Sequence, residues 1–193
     1  MYIESLMSKH LGCKWIIYMP THRNFGKESI SSIEEFMYVD EMLRKENVYM
    51  VYKPHFHELK NVLSYEDKFT NIILAKEQEK FADVYSYIHY FDLLISDYSS
   101  IVYDFLCSNK PIILFTYDIE KYRKNDAGLM DYYESIPAGP FTYTWRETLE
   151  KSFELLTNDT WVEKRCICRN LFHPYDDGNN CKRVYEAVIK LCN

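Results

Sequence analysis

Two short segments of the chain carry side chains that suit phosphate chemistry. Lys53, Pro54 and His55 follow an apolar run, and Pro54 fixes the backbone between the two basic residues. A lysine supplies charge to phosphate oxygens, and a histidine donates to a phosphate or protonates a leaving oxygen near neutral pH. Ser99 and Ser100 open a helical pattern, where hydroxyls and unpaired N–H groups suit a diphosphate. A structural histidine and plain N-capping serines fit the same patterns, so both interpretations stay open here.

Further candidates surround these segments. Asp104 lies four residues after Ser100, on the same helical face, where a carboxylate suits a ribose or glycerol hydroxyl, or braces the loop. Gly178 forms a turn before the last helical pattern, and Arg183 in its first turn is a second candidate phosphate contact. The remaining candidates are residues of the first loop and of later loops: Pro20, Thr21, His22, Arg23, His57, Asp97, Asp118, Glu120 and Glu134 with the loop 136–140.

The elements that must position these residues are short apolar runs alternating with helical patterns. We predict strands at 14–19, 48–52, 71–75, 92–96 and 111–115, and helices at 32–45, 83–90, 99–107, 145–157, 159–170 and 179–192. This alternation is typical of an α/β protein with a parallel sheet and helices on both faces. No linker or repeat divides the chain, so residues 1–193 are predicted to form one Rossmann-like domain, with the last helices packed on the sheet.

The predicted strands place the candidates together. In an open parallel sheet, ligands bind beyond the carboxyl ends of the strands. The segments at that edge are 20–23, 53–55, 97–100 and 117–118, which contain most of the polar candidates. Their convergence is a stronger indication of a site than any one of the motifs.

Composition excludes several classes of function. The net charge is −6, without the basic excess that nucleic-acid binding needs. Neither a GxGxxG nor a P-loop pattern occurs, and no His, Asp and Glu set has metal-site spacing, so no metal and no cofactor are predicted. The six cysteines are predicted to be reduced thiols, with Cys107 packed in the core. We find neither an apolar run of membrane-spanning length nor a signal-peptide core, which favours a cytoplasmic protein, peripheral on the membrane at most.

Several segments resemble one protein family, in order along the chain. Residues 18–23, YMPTHR, resemble its YAPTxR strand end, and residues 53–55 resemble its KPH motif. Residues 94–105, LISDYSSIVYDF, are similar to its ISDYSSxxxDF segment, which continues in register through 109–118. Residues 134–140 and 177–183 resemble its ExxPGP loop and its terminal DGxxxxR. The family is that of the CDP-glycerol glycerophosphotransferases, which build teichoic acids and related capsule polymers.

The resemblance implies the C-terminal, donor-binding half of a GT-B fold. It implies a CDP-glycerol pocket, a required histidine at His55, and transfer of glycerol phosphate to a hydroxyl of a polymer or lipid-linked acceptor, with release of CMP. Residues that line the pocket by resemblance are Pro20, Thr21, Lys53, Pro54, His55, Ser99, Ser100 and Asp104. The family also has a second required histidine in a WHGTP segment, which this sequence lacks. The resemblance therefore also implies that an N-terminal half or a partner chain supplies that segment.

Two other functions remain open at this point. One is the half of another GT-B enzyme, a nucleotide-sugar transferase or 2-epimerase, although the glutamate-rich ribose-binding stretch that such enzymes usually have was not found. The other is a non-catalytic module that binds a nucleotide or a partner, which the absent histidine favours.

Overall fold

The fold is a six-stranded parallel sheet between two layers of helices. The computed structural model describes residues 2–23, 32–55, 66–75, 83–125, 128–129, 133–175 and 177–192. In these residues the strands are β1 Lys14–Met19, β2 Val48–Tyr52, β3 Ile72–Leu74, β4 Leu93–Ser96, β5 Ile112–Phe115 and β6 Phe141–Thr142. Every pair of neighbours is parallel and the order is β3-β2-β1-β4-β5-β6. The predicted α/β class is confirmed.

Helices cover both faces of this sheet. The α-helices are α1 Tyr2–Met7, α2 Ile33–Lys45, α3 Ile101–Phe105, α4 Ile119–Asn125, α5 Trp145–Thr157, α6 Val162–Phe172 and α7 Asn180–Cys192. One core cluster joins the sheet to α2 and α5 through Phe36 and Trp145. The other joins the sheet to α3 and α6 through Phe105 and Cys168. Strands buried on both faces need continuous apolar runs, which explains the sequence of β1 and its neighbours.

Local signals fix the ends of these elements. Pro20 follows β1 and has no N–H to continue the ladder. Ser32 caps α2 by accepting a hydrogen bond from the Glu35 N–H. Thr144 and Glu147 form a reciprocal capping box at the start of α5. The end of β1 and the starts of α2 and α5 are therefore set by residues next to them in the sequence.

Some predicted elements differ from the structure. The helix predicted at 83–90 is two 3-10 turns, Val84–Ser86 and Ile88–Tyr90, and Asp83 caps the first through the Tyr85 N–H. The helix predicted through Cys107 ends at Phe105 and continues as a 3-10 turn to Ser108. Cys107 is exposed rather than packed in the core, because this turn directs it outward. The buried cysteine is Cys168 in α6, where burial raises the pKa of its thiol to about 11.

The last helix also differs from the prediction. Helix α7 buries none of its residues, so it does not pack on the sheet as α5 and α6 do. Its apolar residues form an exposed stripe: Val184, Tyr185, Val188, Ile189 and Leu191. Among the described residues, the longest apolar helical stretches fall short of what crossing a membrane requires.

Candidate functional site

The candidate site lies where the strand order of the sheet reverses. From β1 the chain builds β2 and β3 on one side, and then β4, β5 and β6 on the other. The crevice beyond the carboxyl ends of the two central strands is where open α/β sheets bind ligands. The segments after β1, β2, β4 and β5 are those that sequence analysis selected. Their side chains determine what this edge can bind.

A buried carboxylate joins the two central strands at this edge. Asp97, directly after β4, accepts hydrogen bonds from the backbone N–H of Thr21 at 2.9 Å and from its Oγ1 at 2.6 Å. The Ser96 hydroxyl donates to the carbonyl oxygen of Met19 at 2.6 Å. These bonds hold the turn after β1 against the turn after β4, and thereby fix the floor of the crevice.

Arg23 occupies the centre of this arrangement and is only 2% exposed. Its Nη2 lies 2.7 Å from Oδ2 of Asp97, and its Nε lies 2.8 Å from Oδ2 of Asp118. Its Nη1 donates to the Thr21 carbonyl oxygen at 2.7 Å. Burial opposes the charge of the guanidinium, but the two carboxylates outweigh that cost and raise the pKa of Arg23.

Tyrosines enclose the Arg23 guanidinium. Its Cζ lies 4.9 Å from the ring centroid of Tyr98 and 5.4 Å from that of Tyr122, and these two rings stack at 4.0 Å. The Tyr98 hydroxyl donates to Asp118, and the Tyr133 hydroxyl donates to the Asp97 carbonyl oxygen. Burial, followed by the nearby carboxylates, raises the pKa of both phenols. The predicted contact of Arg23 and Asp97 with substrate does not fit this burial, which favours a bracing function for both.

Asp118 makes two kinds of contact in the fold. Its backbone oxygen accepts the N–H of Lys121 and of Tyr122 at the start of α4, as expected of a helix-start residue. Its carboxylate meanwhile pairs with Arg23, 95 residues earlier in the chain. No pattern in the sequence around Asp118 predicts this pairing, because the pairing depends on β5 lying beside β4.

Basic side chains gather beyond β1 and β2. His55 is exposed, and its ring centroid lies 4.8 Å from that of His22, with 31° between the ring planes. Lys53 is half-buried, and burial lowers the pKa of its ammonium group. Pro54 is buried between them, so the turn is anchored as predicted. The structure thus brings together Lys53, His55 and His22, a cluster suited to an anion.

The predicted serine site lies across β1 from this cluster. Two strand spacings, about 10 Å, separate the ends of β2 and β4, and both ends lie at the same edge. The Ser99 Oγ is 3.5 Å from the Ile101 N–H, which is long for a cap, and the Ser100 side chain makes no capping hydrogen bond. Capping alone therefore does not account for the second serine, which is exposed at the start of α3.

Other predicted residues lie apart or have local partners. Asp104 accepts a hydrogen bond from the Tyr85 hydroxyl at 3.0 Å. Arg183 pairs with Asp177 and lies 4.1 Å over the ring of Tyr175, so the bonds described for it stay within the turn of Gly178. Glu134 pairs with Arg123 of α4.

The loop after Glu134 leads away from the candidate site. The Pro140 carbonyl oxygen accepts the Leu114 N–H, and the chain then enters the amino end of β6. The ligand contact considered for 136–140 is therefore not supported, because this loop lies toward the opposite edge of the sheet. His57, another candidate, lies outside the described residues.

Comparison with known proteins gives consistent matches. The family described as CDP-Glycerol:Poly(glycerophosphate) glycerophosphotransferase matches residues 3–190. The teichoic acid glycerol-phosphate primase of Bacillus subtilis (strain 168) is 28% identical over 182 residues, which are 92% of this chain and 44% of that protein. The teichoic acid glycerol-phosphate transferase of Staphylococcus aureus (strain NCTC 8325 / PS 47) is 24% identical over 195 residues, covering 97% of this chain and 48% of that protein. The chain thus spans somewhat less than half the length of these relatives.

Solved structures agree on the fold. The wall teichoic acid polymerase TagF superposes with a TM-score of 0.70 at 25% identity, covering 98% of this chain and 46% of that one. A UDP-GlcNAc 2-epimerase from Neisseria meningitidis, bound to UDP-GlcNAc, superposes with a TM-score of 0.60 at 18% identity, covering 98% of this chain and 50% of that one. The second match shows a shared fold alone.

Proposed function

Because this chain belongs to the CDP-glycerol:poly(glycerophosphate) glycerophosphotransferase family, we propose that it binds CDP-glycerol at the carboxyl edge of its sheet. The enzyme to which it contributes would transfer glycerol phosphate to a hydroxyl of a teichoic-acid-type acceptor. The observation that carries this proposal is that Lys53 and His55, after β2, and Ser100, after β4, flank the end of β1, at the point where the strand order reverses. Family membership and site geometry thus support the same ligand.

The proposed chemistry is a direct displacement at phosphorus. An acceptor hydroxyl oxygen attacks the glycerol-bearing phosphorus, and its proton passes to a base on the acceptor side or to water. The bond from that phosphorus to the bridging oxygen breaks, and CMP leaves with the electron pair of that bond. Lys53 and the start of α3 hold the diphosphate, and His55 stabilises or protonates the departing phosphate oxygen. Catalysis of this kind depends mainly on position and charge, which a rigid edge of the sheet supplies.

We assign indirect functions to the buried polar residues. Arg23 and Asp97 support the turn of Thr21 and set the shape of the crevice without reaching the ligand. Asp104, one helical turn after Ser100, remains a proposed partner for a hydroxyl of the ribose or glycerol, with Tyr85 holding its carboxylate. Gly178 and Arg183 remain a proposed second contact, which requires Arg183 to exchange Asp177 for a phosphate.

The acceptor side of the reaction is assigned to another part of the enzyme. This chain spans less than half of the relatives it matches. We place acceptor binding, and the second histidine implied by the family resemblance, in a further half on the same polypeptide or on a partner chain. The complete enzyme would then act in the cytoplasm, at the membrane face where its acceptor is held.

Binding calorimetry with CDP-glycerol, CMP and UDP-glucose tests the proposed donor. We expect CDP-glycerol to bind more tightly than CMP, because only the former carries the diphosphate, and UDP-glucose to bind weakly. Preference for UDP-glucose would assign the chain to the sugar-nucleotide enzymes whose fold it shares. An absence of binding by all three would indicate a non-catalytic module.

Ser100→Ala is expected to weaken CDP-glycerol binding by about 1–2 kcal/mol, or roughly 5–30-fold, if its hydroxyl bonds a phosphate oxygen. The matched control is Ser108→Ala in the 3-10 turn after α3. The Ser108 hydroxyl donates to the Phe105 carbonyl oxygen at 2.7 Å. The two variants lose one hydroxyl each, at opposite ends of one helical segment. Equal affinities for both variants would show that Ser100 makes no ligand contact.

A further inference from the structure

Two histidines meet at the candidate site, and the proposed function uses only one of them. Tyr18 of β1 and Tyr52 of β2 are paired in the register of these two strands. His22 lies four residues after Tyr18, and His55 lies three residues after Tyr52. The two turns therefore leave the sheet side by side. The centroids of the imidazole rings are 4.8 Å apart and their planes are tilted by 31°, so an anion that contacts one ring lies beside the other.

The charges around the pair make both imidazoles relevant to an anion. Lys53, on the turn of His55, is cationic, and Arg23 follows His22 directly. Arg23 is already neutralised by Asp97 and Asp118, and α3 contributes the carboxylate of Asp104. The described charged groups of these segments are thus two cations and three carboxylates. Among the described residues of these segments, Lys53 and the two imidazoles, when protonated, are the groups that can offset the charge of a dianion.

We propose that His22 is a second anion-binding residue, and that His22 and His55 bind the diphosphate of the donor together as a pair of imidazolium ions. This rests on the proposed function for the identity of the ligand, but the pair itself would bind any tetrahedral dianion. Two adjacent imidazolium ions repel each other in the absence of an anion, and a bound dianion removes that cost. Anion binding is therefore coupled to proton uptake by the pair.

Calorimetric titration of the chain from pH 5.5 to 8.5, with sodium sulfate and with CDP-glycerol, tests this coupling. Neither anion changes its charge across this range, so a pH-dependent affinity belongs to the protein. Each proton taken up on binding lowers affinity by up to about tenfold per unit of rising pH. We expect a slope above the one-proton limit in the wild-type chain. His22→Gln should reduce it to one proton or less and weaken binding at pH 6 about 5–10-fold.

The control is His89→Gln. His89 is exposed, and its ring centroid lies 4.2 Å from that of Tyr90. His89 precedes β4 and therefore lies at the opposite edge of the sheet. This variant should keep the wild-type affinity and slope for both anions. If His89→Gln lost as much anion affinity as His22→Gln, the effect would come from the overall charge of the protein, and the proposal of a histidine pair would be overturned.

Histidine proton NMR provides a second readout that needs no donor. In the wild-type chain, sulfate should shift the ring resonances of both His22 and His55. In His22→Gln, the His55 resonance should titrate at a higher pH than in the wild type, because a like charge has been removed. In the wild-type chain, a sulfate-induced shift of one ring only would overturn the proposal even if His22→Gln folds poorly; in a folded His22→Gln, so would an unchanged His55 titration.

The two anions separate this inference from the proposed function. If both rings respond to sulfate and CDP-glycerol binds no better than sulfate, the pair stands and the donor assignment fails. If CDP-glycerol binds tightly with an affinity and slope that His22→Gln leaves unchanged, the donor assignment stands and the pair fails.

Discussion

Replacing Arg23 with methionine is expected to lower the free energy of unfolding by about 3–5 kcal/mol. The substitution removes the cation from a buried cluster and leaves two carboxylates, those of Asp97 and Asp118, without their main partner. Arg23→Lys should recover only part of the loss, because a lysine cannot reach both carboxylates with one planar fork. The measurement is the midpoint and slope of urea unfolding for each variant.

Arg183→Met is the matched control for this prediction. Arg183 also pairs with an aspartate and lies over a tyrosine ring, but its side chain is 35% exposed, whereas that of Arg23 is buried. Exposed ion pairs contribute between zero and about 1 kcal/mol, so this variant should unfold close to the wild type. Adding Asp118→Asn to Arg23→Met should restore part of the lost stability by removing one uncompensated charge. A loss below about 1 kcal/mol for Arg23→Met would contradict a bracing function for the cluster.

The sheet itself was predictable because strands that are buried on both faces have continuous apolar sequences. The β1 segment from Trp15 to Tyr18 is wholly buried, and Pro20 ends it. The same reasoning located β2 to β5 within one or two residues. It missed β6, since Phe141–Thr142 is too short to form a pattern. Gly139 before it packs against β5, where a Cβ would lie 1.9 Å from the Ile112 carbonyl oxygen, and only the folded sheet shows this contact.

The helices show the limit of periodicity more clearly. The spacing in 83–90 fitted a helix, but the segment forms two 3-10 turns, and the buried residues at their junction, Tyr87 and Ile88, pack in the core. The amphipathic pattern of α7 correctly predicted a helix but not its environment. An apolar stripe indicates which face of a helix could be buried. Whether another part of the protein packs on that face depends on the tertiary structure.

The site was predictable as an edge of the sheet and not as a set of contacts. The rule that ligands bind beyond strand carboxyl ends grouped the turns after β1, β2, β4 and β5 correctly. It did not show that Arg23 turns inward to Asp118, or that His22 meets His55. Both pairings depend on the order of strands in the sheet, which alternating patterns leave undetermined.

The polar residues at this edge of the sheet fall into a buried set and an exposed set, which support the proposed chemistry in different ways. In the buried cluster of Arg23, Asp97 and Thr21, the charged groups pair with one another, and these bonds make the crevice rigid. The groups left at the surface of the crevice, His55 and Ser100 among them, are exposed and able to meet a ligand. Substitutions in the first set should therefore change stability, and those in the second should change binding or turnover with little effect on unfolding.

His55→Ala is expected to lower the turnover of CDP-glycerol by about 10²–10⁴-fold, the range typical of losing a general acid. Affinity for CDP-glycerol should fall less than about tenfold, because Lys53 and His22 remain beside the site. The measurement is CMP release under single-turnover conditions, in an enzyme that carries the proposed acceptor half. The wild-type rate should decline with rising pH as His55 loses its proton, and the variant should lack that decline. His89→Ala, at the opposite edge of the sheet, is the control and should retain both rate and pH profile. Unaltered turnover in His55→Ala would remove His55 from the mechanism and leave it as one of several groups that hold the anion.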